Sequence, residues 1–165
     1  MSFRVRPKPP VTLGRMSERS RNLPRRTCLA VPGSSEKMLG KAPGLGADMV
    51  FLDLEDAVAP LEKHDARGKV VAAVNDLDWG DTVLGVRVNG WDTEWTHQDA
   101  IDVLQGCSER LDVLLLPKVE SAAQVIALDL LVSQVERDHL RGRLDRKSTR
   151  LNSSHTVLSR MPSSA

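Results

Sequence analysis

Apolar positions in this chain gather into short blocks separated by longer stretches of mixed character. RTCLAV (26–31), DMVFLDL (48–54), TVLGVRV (82–88) and LDVLLL (111–116) are of strand length and nearly continuous in apolar residues, the pattern of strands buried on both faces. The stretches between them have helical period. A first helix is predicted to begin at Ser34 or Ser35, whose hydroxyls can cap free N–H groups, with Glu36 in its first turn. A second, LEKHDARGKVVAAV, sets Ala66, Val70, Ala73 and Val74 on one stripe and Leu61, Asp65 and Lys69 on another, and ends at Asn75 and Asp76. A third spans 96–105 with Ala100, Val103 and Leu104 inward and Gly106 as its C-cap, and a fourth spans 121–137. This alternation predicts repeated βα units around a parallel sheet, either the front of a (β/α)8 barrel or a doubly wound open sheet. A complete barrel typically takes about 250 residues, against 165 here.

Charge adds a second pattern. Residues 1–26 hold eight Lys/Arg and one acid and residues 141–165 hold six and one, whereas 27–140 hold nine against twenty. Two basic arms flanking an acidic body suit nucleic acid electrostatically, yet the arms contain one aromatic, Phe3, and offer almost nothing for base stacking. No nucleic-acid partner is expected. No run approaches the roughly 18 apolar residues of a membrane span, so no membrane is expected either. RPKPP opposes an amphipathic transit helix. Cys28 and Cys107 form no CxxC pair, which is the usage of reduced cytoplasmic thiols.

Active sites of parallel α/β folds lie beyond the carboxyl ends of their strands. Four strand ends here lead into Pro32, Gly33, Ser34 and Ser35; into Glu55 and Asp56; into Arg87, Asn89 and Gly90; and into Pro117, Lys118 and Glu120. Carboxylates, a guanidinium and an ammonium are thus expected on one rim. Arg87 can hold a carboxylate or 2-oxo acid by paired hydrogen bonds. The alternatives are structural: Glu55 and Asp56 bridged to Lys63 or Arg67, and Arg87 bridged to Asp53 or Glu55. His64, His97, His139 and His155 share no metal-ligand spacing, and the three Trp suit covering the core or a loop.

VPGSSEKM, FLDLEDAVAPLEKHDAR, NDLDWG, VRVNGWDT and LLLPKVESAAQV, in this order, resemble the HpcH/HpaI aldolase and citrate lyase β-subunit superfamily, and most closely its malyl-CoA/β-methylmalyl-CoA lyases. The resemblance implies the N-terminal half of a (β/α)8 TIM barrel of about four βα units, with a basic arm over 1–25 and a partial barrel domain over 26–141; the Ser-rich stretch 146–165, without a sustained apolar period, is expected as a non-native or disordered tail. It implies a carbon–carbon lyase that splits a 3-hydroxyacyl-CoA reversibly into glyoxylate and acetyl-CoA or propionyl-CoA. Arg87, Glu55 and Asp56 match the catalytic positions. Arg87, Asn89 and Lys118, with Pro32, Gly33, Ser34, Ser35 and Lys41, match regions meeting the oxo acid or CoA.

By the same resemblance Mg²⁺ is the cofactor, its ligands lie on later strands, and no metal ligand is expected within this chain, which is expected to be inactive alone. A cytoplasmic homo-oligomer is implied for the whole protein. Ala30 and Ser35 depart from the pattern, standing where relatives carry an aromatic and an arginine. Two other readings remain open: an aldolase for a free 2-oxo acid without CoA, and a non-catalytic α/β binding protein. Four units alone are expected to leave two strand edges unpaired.

Overall fold

The computed structural model describes residues 23–107, 110–138, 147–151 and 155–159, and of residues 136–138 and the last two segments only the backbone. Most of the basic arm therefore lies outside the described residues, as does His139. Four strands, β1 (Cys28–Pro32), β2 (Met49–Asp53), β3 (Val83–Arg87) and β4 (Val113–Pro117), pair in parallel and in chain order. Each is followed by a helix: α1 (Glu36–Lys41), α2 (Lys63–Asp76), α3 (Thr96–Gly106) and α4 (Ala122–Asp138). The order β1-β2-β3-β4 never reverses, which is the progression of a barrel's first half and not that of a doubly wound sheet, whose order turns back at a switch point.

Helices cover one face of this sheet. Val50, Leu52, Leu84, Val86, Leu114 and Leu116 point toward them and join Val70, Val74, Val103 and Leu128 in the main core. Successive helices α1 to α4 pack side by side in one layer. The alternate residues of β2 to β4 form the opposite, inner face, where Met49, Val83, Val113 and Leu115 make a second apolar cluster with Leu23 and Phe51 against it. Gly85 sits within that face because a methyl group there would meet Leu115 Cδ1 at 2.8 Å.

The strands begin and end within a few residues of the sequence-based expectation. Ser35 caps α1, its hydroxyl accepting from the Met38 N–H at 3.4 Å. Helix α2 starts later than expected because Pro60–Glu62 form a 3-10 turn, and it ends at Asp76, as expected, with Leu77 capping in extended conformation. Gly106 is the last residue of α3 and not a left-handed cap; Cys107 caps in extended conformation, and Gly106 instead leaves room for Val71, which an added methyl would meet at 2.8 Å.

Two expectations change at the far edge of the sheet. Lys147–Leu151 (β5) and His155–Ser159 (β6) are strands within the segment expected as a disordered tail, and β6 pairs antiparallel with β4. Backbone pairing thus orders those two segments and closes the β4 edge, leaving β1 and β5 as the edges of a six-stranded sheet.

Candidate functional site

The site is built where the inner face meets the carboxyl ends of the strands. Asp53 and Arg87 are register partners on adjacent strands, and period-2 alternation puts both on the inner face. Arg87 Nε donates to Asp53 Oδ1 at 2.8 Å and Nη2 to Oδ2 at 2.6 Å, a two-pronged pair that fixes the guanidinium plane. Its ring neighbour is Phe51, with Cζ 5.4 Å from the centroid. Nη1 then projects to Glu55 Oε2 at 3.2 Å, and Nη2 lies 3.8 Å from Asp56 Oδ2.

Lys118 closes the cluster from β4. Its Nζ stands 2.9 Å from Glu55 Oε1 and 3.4 Å from Asp56 Oδ1. Its backbone is at φ +49°, the left-handed region that a residue with a side chain enters at a cost of order 1–3 kcal/mol. Glu55 is 4% exposed and Asp56 63%. Both Glu55 oxygens are within ion-pair distance of a cation, yet neither is in hydrogen-bond alignment. The contact is Coulombic and leaves directional bonding capacity unused.

Electrostatics follow from this packing. Burial pushes the Asp53 carboxyl up, but the Arg87 hydrogen bonds and the N–H groups of Glu55 and Ala57 outweigh it and hold the group below the usual aspartate range. For Arg87, burial pulls down while Asp53, Glu55 and Asp56 pull harder, and its pKa rises. Lys118 is raised, chiefly by its contact with Glu55.

Beyond Leu54, whose N–H still donates to the Arg87 carbonyl at 2.9 Å, side chains hold the loop leaving β2. Asp53 accepts from the Glu55 N–H (2.8 Å) and the Ala57 N–H (3.1 Å). From the other side Lys63 Nζ donates to the carbonyls of Leu54 and Glu55, each at 2.8 Å, and lies 5.0 Å from the Trp95 ring centroid. Burial lowers the Lys63 pKa, partly countered by Asp99, Asp53, Glu55 and Asp56.

Other expected site residues are placed differently. Asn89, matched to substrate contact, is 1% exposed; its amide donates to Leu54 O (2.9 Å) and to Asp99 Oδ2 (2.6 Å), so it braces the layer behind the mouth. Asp99 also takes the Asn89 N–H at 3.0 Å and pairs with Arg67 Nε at 2.6 Å. The proposed bridges from Glu55 and Asp56 to Lys63 or Arg67 are therefore absent, since Lys63 serves backbone carbonyls and Arg67 serves Asp99. The structural alternative for Arg87, a bridge to Asp53 and Glu55, is present. The Gly33 N–H donates to Asp53 O at 2.8 Å, tying Pro32 and Gly33 to the cluster. Ser34 turns its carbonyl to Lys69 at 3.1 Å, Ser35 caps α1, and Lys41 is exposed in the last turn of that helix.

Sequence reasoning gave Lys63 and Arg67 the wrong partners and missed Asp99. The signal lay in the apolar stripe of α2: Lys63 and Arg67 continue Val70 and Val74 at helical spacing, two cations on the face that packs inward. Among the described residues no group of three or more His, Cys, Asp or Glu is arranged to hold a metal. The mouth carboxylates already face Arg87 and Lys118, so the residues present do not fit a magnesium site. No helix among the described residues is long and apolar enough to cross a membrane.

This geometry defines an α/β enzyme-like mouth with fixed cations at successive strand ends. The HpcH/HpaI aldolase/citrate lyase family model matches residues 26–159, and the chain belongs to that family. The L-malyl-CoA/beta-methylmalyl-CoA lyase of Cereibacter sphaeroides is 42% identical over 83% of this chain and 40% of its own length. A (3S)-malyl-CoA thioesterase of Cereibacter sphaeroides is 45% identical over 68% of this chain and 38% of its own length. The crystal structure of CitE from Mycobacterium tuberculosis in complex with magnesium, acetoacetate and coenzyme A is 36% identical, with a TM-score of 0.51 over 63% of this chain and 37% of that one. The chain spans about 40% of the length of these two curated relatives.

Proposed function

We propose that this chain carries the oxo-acid end of the active site of a CoA-ester carbon–carbon lyase, acting on malyl-CoA or beta-methylmalyl-CoA. One observation carries the reading: Arg87 is locked by Asp53 so that Nη1, with Lys118 Nζ on the same carboxylate, faces Glu55, whose oxygens lack aligned donors. In cleavage, the 3-hydroxyl gives up its proton, the bond between C2 and C3 breaks, and its electron pair passes into the thioester enolate, which takes a proton at carbon. As the hydroxyl loses its proton, negative charge develops on its oxygen beside the carboxylate of the acid, and that charge passes to the thioester enolate as the bond breaks. Arg87 and Lys118 supply fixed positive charge at that end, where prearranged charge lowers the barrier most. Asp53 orients the guanidinium, and Glu55 and Asp56 hold both cations in place until substrate displaces them. Magnesium dependence belongs to the whole protein in this proposal, with ligands outside the described residues, and no step assigned above passes through the metal. The proposal extends to a cytoplasmic homo-oligomer.

The relationship to the thioesterase supports a second reading, hydrolysis of the same thioester. Incubating the whole protein with malyl-CoA separates them: glyoxylate appearing with acetyl-CoA supports the lyase, and malate appearing with free CoA and no glyoxylate overturns it.

A further inference from the structure

We propose that Lys63 is a positioning residue that sets Glu55 against Arg87 by gripping the Leu54–Glu55 backbone. The consequence for turnover rests on the lyase reading; the geometry does not. The peptide on the amino side of Glu55 is bonded through its N–H to Asp53 and through its carbonyl, that of Leu54, to Lys63 and Asn89. The carbonyl of Glu55 itself bonds to Lys63. One buried ammonium therefore holds two consecutive carbonyls, and without it the Leu54 carbonyl keeps only Asn89 and the Glu55 carbonyl only the Val58 N–H. The Glu55 carboxylate, without an aligned hydrogen bond, is held by its two ion pairs and by its backbone, and Lys63 sets the second of these. Trp95 covers the ammonium and Asn89 is fixed in turn by Asp99 and Arg67, which makes the grip rigid from behind.

Arg87 contains its own control. Nε and Nη2 bind Asp53, which has no bond to Lys63 and meets the gripped segment only through the Glu55 N–H, whereas Nη1 faces the Glu55 carboxylate itself. Nitrogen-15 NMR of the arginine side chain in the 165-residue chain reads the two separately. In Lys63→Met, Nη1–H exchange is expected to rise about tenfold, the loss of one charge-assisted contact, while Nε–H exchange, on an aspartate also held by the Ala57 N–H, rises much less; Lys63→Arg, which keeps donors, restores Nη1. Equal changes at both nitrogens, or none, overturn the proposal. If Lys63→Met does not fold, Lys63→Gln is read in the same way, and failure of both to fold assigns Lys63 to the core and also overturns it. In the whole protein Lys63→Met is expected to lower kcat about 10²-fold with little change in KM, the effect of a misplaced group. A wild-type protein without lyase activity would defeat the functional reading and leave the NMR result to decide this one.

Discussion

Two buried arginine–aspartate pairs sit on opposite faces of the sheet, and they are nearly identical in burial and shortest distance. Arg67 and Asp99 are 8% and 0% exposed at 2.6 Å; Arg87 and Asp53 are 11% and 1% exposed, also at 2.6 Å. Their surroundings differ. Asp99 spends its second oxygen on the N–H and the amide of Asn89, and Arg67 turns another nitrogen to Asp102 at 3.6 Å, so that pair, facing the helix layer, has its bonding capacity taken up. Arg87 instead projects beyond its aspartate toward Glu55, whose oxygens lack aligned donors, toward exposed Asp56 and toward a lysine held at positive φ. The lesson is that burial and distance do not distinguish a brace from a site. What distinguishes them is whether the bonding capacity around the pair is used up.

That contrast can be broken experimentally. The largest effect is expected at the closed pair: Arg67→Met strands a buried carboxylate and should cost about 3–5 kcal/mol of stability in urea unfolding; a loss below about 1 kcal/mol would show Asp99 relaxing to water. Next, Arg87→Lys in the whole protein should cut glyoxylate-dependent condensation about 10²-fold by losing the two-pronged geometry, with a much smaller loss of stability than Arg67→Met; retained turnover removes Arg87 from the mechanism. A pH series sharpens the comparison further. The folded Asp53 pKa lies below its unfolded value of about 3.9, so its stabilisation is complete above that value and disappears as pH falls through the folded value. Urea midpoints should therefore drop on acidification below about pH 4, with a shallower drop in Asp53→Asn. The smallest change is expected for Lys118→Gly, where release of the left-handed backbone offsets the loss of a half-exposed ion pair; a fall in Tm rivalling that of Arg67→Met would contradict this.

The strands and the rim were readable because each depends on local sequence. Continuous apolar blocks mark β2, β3 and β4, and the polar residues that come directly after a block must lie at its carboxyl end, so Glu55, Asp56, Arg87 and Lys118 could be placed together from the sequence alone. The choice between barrel-like and doubly wound order was not readable from periodicity, since both share the βα unit; motif resemblance suggested it and strand order decides it. Asn89 was misplaced because one residue of shift along a chain leaving a strand turns a side chain from the mouth to the helix layer. Asp99 was hidden because a carboxylate in the first turn of α3 looks like an ordinary helix-dipole partner, and only its packing against Arg67 and Asn89 shows otherwise. The pairing of β6 with β4 carries no local signature in a Ser-rich segment.

Strand order along β1 to β4 has a further consequence, for synthesis. Each new strand docks on the one made just before it, a few tens of residues back, so the loop to be closed at every step is short. A nascent chain leaving the ribosome can lay down this sheet from its first edge onward, and the Asp53–Arg87 pair forms as soon as β3 emerges, before β4 brings Lys118 to cover it.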